Sequence, residues 1–427
     1  MEFNNIEHLV IFSTLNQITN YIAIKSLKPK NIYNITFSEG LSEDFKYGIK
    51  PCEWDENLEA VLKIDKDIDA KINDLKITEN EYGDLEKFKS FILERLKHID
   101  ESTPIYWHIT GGQRVFAMAI YDIVKNRPND ILFYLEGNSE KIISEGKDKD
   151  EFNSKVKYEL RDLDFKIAFQ LMGYDTKEIR STQKLKEKGI KAENINLDEV
   201  NFYNALYQWM LNEGENEKFE IDSEKGTFKE LLLLSNSTSK FISEEEYKKD
   251  KNKSRKIRQE FLNNLFDEVK NKCNKLGKYD IKNSREMKMG FPAGYIFEKL
   301  VGYKIYDVIK DNHKILGMEM SLKVFKDESN HCIDELDIVL LTNTGRILNF
   351  ECKSGSLGGD NAKSHHFTTY VLSGVFGAPI FMTPLIKKDL KGDTDKKLIA
   401  ACSTAKKAKI KIIYLEKIEC EIKKLIG

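Results

Sequence analysis

Residues 336–355 read LDIVLLTNTGRILNFECKSG. Two apolar runs flank a short polar turn, and Gly345 in that turn can take a positive φ, so the stretch predicts a β-hairpin. A hairpin fixes more than its own shape, because it returns the chain to the point where it began. With a three-residue loop, Asp337 in the first strand stands directly opposite Glu351 in the second. Glu351 and Lys353 are two residues apart and therefore share one face. Two acids and a lysine thus converge at one end of an otherwise apolar unit.

Two adjacent carboxylates repel, and one is driven to its protonated form unless a cation sits between them. A hard divalent cation with oxygen ligands resolves the conflict, with Asp337 and Glu351 as ligands and the backbone carbonyl of Cys352 as a further one. Such a cation lowers the pKa of a bound water and neutralises a phosphate. A lysine beside it orients the attacking water or stabilises transition-state charge. The constellation suits metal-assisted hydrolysis of a phosphodiester. The plainer alternative is a hairpin whose charged end is merely solvated. Against it stand the placement of the triplet on consecutive strands, the flanking helices, and an upstream acid, Glu298, in GYIFEKLVG. Glu298 borders an apolar stripe (Ile296, Phe297, Leu300, Val301), so it reads either as a further catalytic acid or as an edge residue facing water.

The chain has 427 residues, 41% of them hydrophobic, enough for two or three domains with real cores. The formal net charge of −2 leaves any nucleic-acid footprint to be local. No apolar run reaches membrane-span length, and the acidic N-terminus does not read as a signal peptide. Six cysteines without CxxC spacing read as reduced thiols of a cytoplasmic protein.

Three regions separate by pattern, giving an α/β reading for the whole chain. In residues 1–150, the strands HLVIFST, NIYNITFS, PIYWHIT and DILFYLEG alternate with helical stripes, which predicts a Rossmann-like parallel sheet. Residues 151–250 read as a small helical linker domain, of winged-helix type, with ISEEEYKKDKNKSRK as an exposed connector. Residues 251–427 read as helices, then three strands, a helix, a strand, a helix and a strand.

In the first region WHITGGQRVFAMAI is a strand, a Gly-Gly turn and a helix. A helix N-terminus there favours an anion, and the glycines Gly111 and Gly112 allow close approach to the backbone. Thr110 offers a hydroxyl, and Gln113 and Arg114 offer donors. Ser13, Thr14 and Asn16, after the first strand, belong to the same sheet edge. By itself this is any strand-to-helix turn, and the dinucleotide fingerprint GxGxxG is absent.

Weaker signals lie nearby. His365 and His366 follow the glycine-rich GSLGGD and read either as simply a polar helix start or as residues that could touch a phosphate. His331, Cys332 and Asp334 lack the second ligand pair of a zinc site. Lys387, Lys388, Lys391, Lys396, Lys397, Lys406, Lys407, Lys409 and Lys411 form a basic run, opposed by Asp389, Asp393 and Asp395, that could follow a phosphate backbone.

Residues 290–416, with Glu298, Asp337 and Glu351-Cys352-Lys353, resemble the core of the PD-(D/E)XK (restriction-endonuclease-like) nuclease superfamily. The resemblance implies that Asp337 and Glu351 ligate Mg²⁺ or Mn²⁺ and that Lys353 assists the chemistry. Residues 1–140 resemble a CRISPR-associated Rossmann fold (CARF) sensor domain, whose signature is strand–TGG–T/K–helix. Gln113-Arg114 stand where that family often has Thr-Lys, and the arginine keeps the charge. Sensor, linker and nuclease in this order resemble the ancillary nucleases of type III CRISPR systems. That implies a homodimer switched on by a cyclic oligoadenylate, cyclic tetra-adenylate before cyclic hexa-adenylate, that cuts DNA, RNA or both in antiviral defence. Two alternatives stay open: a ligand-controlled DNA-binding regulator with an inert C-terminal fold, and a ring nuclease that degrades its activator through Ser13, Thr14 and Arg114.

Overall fold

A computed structural model of the chain describes residues 3–43, 51–137, 139–176, 183–186, 196–235, 238–288, 292–326, 332–353, 359–374, 377–384 and 396–427. His331, Lys387, Lys388, Lys391, Asp389, Asp393, Asp395 and residues 354–358 lie outside the described residues.

The first sheet contains β1 (His8–Phe12), β2 (Asn31–Phe37), β3 (Lys71–Ile77), β4 (Ile105–His108), β5 (Ile131–Glu136) and β6 (Lys141–Gly146). Between them run α1 (Ile18–Leu27), α2 (Glu39–Glu43), α3 (Pro51–Ile64), α4 (Glu79–Tyr82), α5 (Leu85–Leu96) and α6 (Arg114–Lys125), and α7 (Lys149–Lys155) follows. The strand order is β3-β2-β1-β4-β5-β6, with every pair parallel except β5 and β6. The order reverses between β1 and β4, so the loops after these two strands border one crevice at the carboxyl edge. β3 and β6 escape the sequence pattern because each is an edge strand rich in exposed polar residues.

The middle region is more mixed than the helical linker its stripes predict. It comprises α8 (Phe165–Gln170), β7 (Tyr174–Thr176), β8 (Gln183–Lys186), α9 (Leu197–Leu211), β9 (Lys218–Ile221), β10 (Glu224–Thr227), α10 (Phe228–Leu234), α11 (Thr238–Phe241), α12 (Glu244–Lys249) and α13 (Lys251–Lys272). β7 and β8 pair with a strand of the second sheet. The charged connector is helical as well. The Asp250 side chain accepts from the N–H groups of Asn252 and Lys253, which starts α13 well before its apolar stripe (Phe261, Leu262, Leu265, Phe266, Val269) begins.

The C-terminal region holds α14 (Arg285–Lys288), α15 (Pro292–Ile309), β11 (Ile315–Lys326), β12 (Cys332–Thr342), β13 (Ile347–Cys352), α16 (Gly359–Ser373), β14 (Ala378–Thr383), α17 (Lys396–Lys407), β15 (Lys411–Tyr414) and α18 (Ile418–Ile426). The sheet order is β15-β14-β13-β12-β11-β7, with β8 also on β11. β11, β12 and β13 form an antiparallel meander, and β13, β14 and β15 are parallel.

The hairpin β12–β13 is buried on both faces, which explains its near-continuous apolar runs. Ile338, Leu340, Leu348 and Phe350 join a core with Ile296, Phe297, Leu300 and Val301 of α15 and with Tyr203 and Leu206 of α9. The alternate residues Val339, Leu341 and Ile347 join a second core with Ile18, Tyr21 and Ile22 of α1 and Leu372 of α16. The second sheet thus packs directly on the first domain. Its hairpin turn touches α1, since a Cβ added at Gly345 (φ +77°) would lie 2.8 Å from Ile18 Cδ1. Gly345→Ala is expected to cost about 1–2 kcal/mol of stability in urea unfolding, from the left-handed backbone and this contact together. An unchanged midpoint would show that the turn relaxes freely.

Among the described residues, no helix is long and apolar enough to cross a membrane.

Candidate active site and ligand-facing loops

The register of the hairpin decides whether its charges meet. Ile338 pairs with Phe350 and Leu340 with Leu348, and the Thr342 N–H donates to the Arg346 carbonyl at 3.0 Å around a three-residue loop. This ladder, extended by one position, sets Asp337 opposite Glu351, as the loop length predicts. The Cys352 N–H donates to Asp337 Oδ2 at 2.7 Å. In an extended strand a residue's N–H and C=O leave the same side, so the Cys352 carbonyl is also directed toward the Asp337 flank. The Lys353 ammonium pairs with Glu351 Oε1, and the Lys353 N–H donates to the Met382 carbonyl at 3.0 Å, continuing the β13–β14 ladder. The site therefore sits where β12 and β13 part, on a rigid central strand.

Its electrostatics follow from this crowding. Burial and then the nearby Glu351 charge push the Asp337 carboxyl up to about 8. Burial and then Asp337 push Glu298 well above the usual carboxylate range. Burial opposes the charge of Lys353, but Asp337 and Glu351 hold its ammonium above its ordinary value. Glu298 is therefore drawn into the same charge cluster from α15, and the water-facing alternative gives way to a half-buried acid. Among the described residues, no three His, Cys, Asp or Glu side chains are arranged as a metal cage. The donor set is an open one of oxygen atoms, which fits a cation that keeps its waters and takes substrate phosphate. The Cys352 thiol is no candidate, since burial pushes it well above its ordinary value.

A proton on Asp337 that the unfolded chain has lost by about pH 4 stabilises the metal-free fold at low pH. That contribution disappears as pH rises through about 8. At pH 8 without metal, Asp337→Asn is expected to raise stability by about 1 kcal/mol, with the gain shrinking as pH falls toward 4. Denaturant midpoints across pH check this, and a less stable variant at pH 8 would contradict it.

Two features escape the sequence. His365 is not part of a polar helix start: it lies six residues into α16, is buried, and faces the sheet. Its Nε2 lies 3.1 Å from both the Asn349 and Ile380 carbonyls, and its Nδ1 lies 3.8 Å from Glu351 Oε2. Burial lowers its pKa, against the pull of Glu351. His366, by contrast, is exposed. The second feature is Asp55 of α3, buried at the far half of β2, where it accepts from Asn34 at 2.9 Å and from Thr36. Glu335 is exposed and pairs with Lys323 at 3.4 Å. The Cys332 thiol is occupied by the Asp334 carbonyl at 3.3 Å. Of the basic run, Lys406, Lys407 and Lys409 are exposed at the end of α17, Lys411 pairs with Glu421 at 2.9 Å, and Lys396 and Lys397 open α17.

At the first sheet's carboxyl edge the loops after β1 and β4 do touch. A Cβ at Gly111 would lie 2.9 Å from the Thr14 side chain, and one at Gly112 (φ +81°) would lie 2.7 Å from the Phe12 ring. The glycines are thus required by loop packing, whatever else they serve. Thr110 Oγ1 accepts from the Leu135 N–H at 2.7 Å, and Gln113, just ahead of α6, makes no capping bond with its side chain, whose Nε2 donates to the Tyr82 hydroxyl at 2.8 Å. Ser13 is buried. Arg114 is exposed at the first position of α6, and Thr14 is half-buried. Asn16 is committed elsewhere: its Nδ2 donates to the Ser373 carbonyl at 3.4 Å, and its Oδ1 accepts from the Ile18 N–H at 3.3 Å. The expected ligand set therefore splits into exposed Gly112 and Arg114, and residues that build the loops or contact α16.

No protein-family model and no curated protein matches the sequence. Solved structures do match in fold. Can2 from Sulfobacillus thermosulfidooxidans, determined in complex with cyclic tetra-adenylate, aligns with a TM-score of 0.59 at 14% identity, over 98% of this chain and 97% of that one. VC1899 from Vibrio cholerae aligns with a TM-score of 0.62 at 13% identity, over 98% and 96%. Over nearly its whole length the chain thus shares its fold with Can2 and VC1899.

Proposed function

We propose that this chain is a metal-dependent nuclease of the type III CRISPR response, a homodimer whose first domain binds a cyclic oligoadenylate and thereby activates the second. One observation carries the reading: Asp337, Glu351 and Lys353 converge on one face of a central strand, at a spot where two acids are held together at an electrostatic cost. A fold has no need of that arrangement, whereas a divalent cation and a phosphodiester do. Asp337, Glu351 and the Cys352 carbonyl would hold Mg²⁺ or Mn²⁺, which when bound activates water and neutralises phosphate charge. Lys353, kept charged, would then face the phosphate and stabilise its transition-state charge. Glu298, whose pKa burial and the neighbouring Asp337 raise, would be a further acid at the site.

The activator reading is supported by the fold shared with Can2, whose structure contains cyclic tetra-adenylate. Arg114 and the N–H groups at the start of α6 suit a phosphate-linked ring. The dimer reading is supported by an exposed apolar stripe beside Arg114: Val115, Met118 and Tyr121 on α6 are 37%, 65% and 43% exposed, and Ile143 on edge strand β6 is 56% exposed. Geometry also supplies a route between the domains. The β1–α1 loop reaches the end of α16 through Asn16, and α1 meets the hairpin turn through Ile18. Thr344 of that turn donates to Glu140 at 3.1 Å. A ligand that shifts the loop would move both elements that flank Glu351.

Incubation of supercoiled plasmid and of single-stranded RNA with the protein, Mn²⁺ and cyclic tetra-adenylate tests this function. Cleavage that needs both additions is expected on at least one substrate. Intact substrates, with tight and specific duplex binding, would favour a DNA-binding regulator instead.

A further inference from the structure

We infer that Ser321 is a positioning residue for Asp337: its left-handed backbone turns β11 over, carries β12 away from β13, and leaves the Asp337 carboxylate in the gap. This rests on the metal-site reading above and adds to it a residue on a strand that bears none of the proposed ligands.

Ser321 has a φ of +55° in the middle of β11. Among the described residues it is the one non-glycine residue inside a strand with a positive φ. A left-handed serine costs about 1–2 kcal/mol, so the surrounding pairing must hold it there. Its effect shows in which core each neighbour enters. In a regular strand, residues two apart share a face. Met318 and Met320 enter the α15 core, where a Cβ added at Gly302 would meet the Met320 side chain. Leu322 and Val324, of the same parity, enter the core shared with the first domain. β12 does likewise: Ile338 and Leu340 enter the α15 core, and Leu336 enters the other. No residue is inserted on either strand, because Met320 pairs with Ile338 and Leu322 with Leu336. The two strands therefore turn over as a unit, and they do so at Ser321 and Asp337.

β13 does not follow. Among the described residues, its ladder with β12 ends at Ile338–Phe350, while its pairing with β14 continues to Cys352. Beyond Ile338, β12 stays with β11 through Leu336, Glu335 and Asp334. The Cys352 N–H, left by the departing strand, donates to Asp337 Oδ2 at 2.7 Å. The carboxylate thus fills the place of a ladder acceptor, and this fixes it beside Glu351 and the Cys352 carbonyl. Its position is set by where β12 leaves β13, which the turn at Ser321 decides. A shift of β11 therefore moves a proposed ligand directly.

Substitutions graded by their tolerance of a positive φ test this. Glycine adopts it freely, and asparagine does so more readily than most residues. Alanine resists it, and β-branched valine resists it most. Mn²⁺ binding to the full chain is read by electron paramagnetic resonance without substrate, beside circular dichroism of the metal-free protein. Ser321→Gly and Ser321→Asn are expected to bind Mn²⁺ as the parent does. Ser321→Val is expected to keep the parent's circular dichroism and lose about 10- to 100-fold in affinity. If Ser321→Val does not fold, Ser321→Ala carries the test, with a smaller loss in the same direction. Parent-like affinity in every folded variant would overturn the inference, leaving Ser321 as a strained residue of the fold alone. A loss in Ser321→Gly as large as that in Ser321→Val would also overturn it, by assigning the effect to the hydroxyl. If the parent protein itself binds no Mn²⁺, the metal-site reading fails, and this inference fails with it.

Discussion

Replacing Glu351 with glutamine is expected to lower the proposed activator-dependent cleavage by about a thousandfold or more, while the protein folds as before. Glutamine has nearly the same shape, so the cores on either side of the hairpin keep their packing. What it lacks is charge. The Lys353 ammonium, paired with Glu351 Oε1 in the parent protein, loses its partner, and a cation at the site loses a ligand. Repulsion on Asp337 also falls, since Glu351 is the second cause of its raised pKa after burial. The variant should therefore be no less stable than the parent without metal. Lys353→Met is expected to lose activity to a similar degree but to keep Mn²⁺ binding, because its role lies at the phosphate. Single-turnover rates on one labelled strand check both. A glutamine variant with activity within about tenfold of the parent would move the chemistry away from this site.

The second large effect concerns the switch. Cyclic tetra-adenylate is expected to raise the cleavage rate about 5- to 150-fold, the range that ordinary coupling energies allow. Arg114→Ala should raise the half-activating concentration about 10- to 150-fold, through loss of charge-assisted contacts to the ring phosphates. Asn16→Ala should behave differently. Its amide is engaged with the Ser373 carbonyl of α16 rather than exposed, so ligand binding should persist while much of the activation is lost. Calorimetry with the ligand, run beside the rate assay, separates the two. An Asn16→Ala protein with weakened binding and normal activation would return Asn16 to the ligand set.

Much of this was legible in the sequence, for definable reasons. The hairpin was visible because Gly345 marks the turn and the apolar runs are unbroken, and a three-residue loop sets the Asp337–Glu351 register by parity alone. The first sheet was visible where its strands are buried. It was hidden at β3 and β6, whose edge positions allow polar residues that mimic loop. The helical reading of 151–250 failed at the short hairpin β9–β10 and at β7 and β8, short strands that take their order from β11 and not from their own pattern. The start of α13 was masked by charge, since Asp250 caps it ahead of any apolar stripe. At the site, His365 read as a helix start because the sequence shows neither helix phase nor the two carbonyls above it. Asn16 read as ligand-facing because its neighbours do. Its partner Ser373 lies 357 residues away in the chain, a distance over which no local pattern carries information.

The most direct test of the account is one measurement: the cleavage rate of a labelled nucleic-acid strand at fixed Mn²⁺, with and without cyclic tetra-adenylate, for the parent protein and Glu351→Gln side by side. The account predicts cleavage by the parent that rises with the ligand and a variant silent in both conditions. Equal rates for parent and variant, or a parent silent on both DNA and RNA with ligand and metal present, would contradict it.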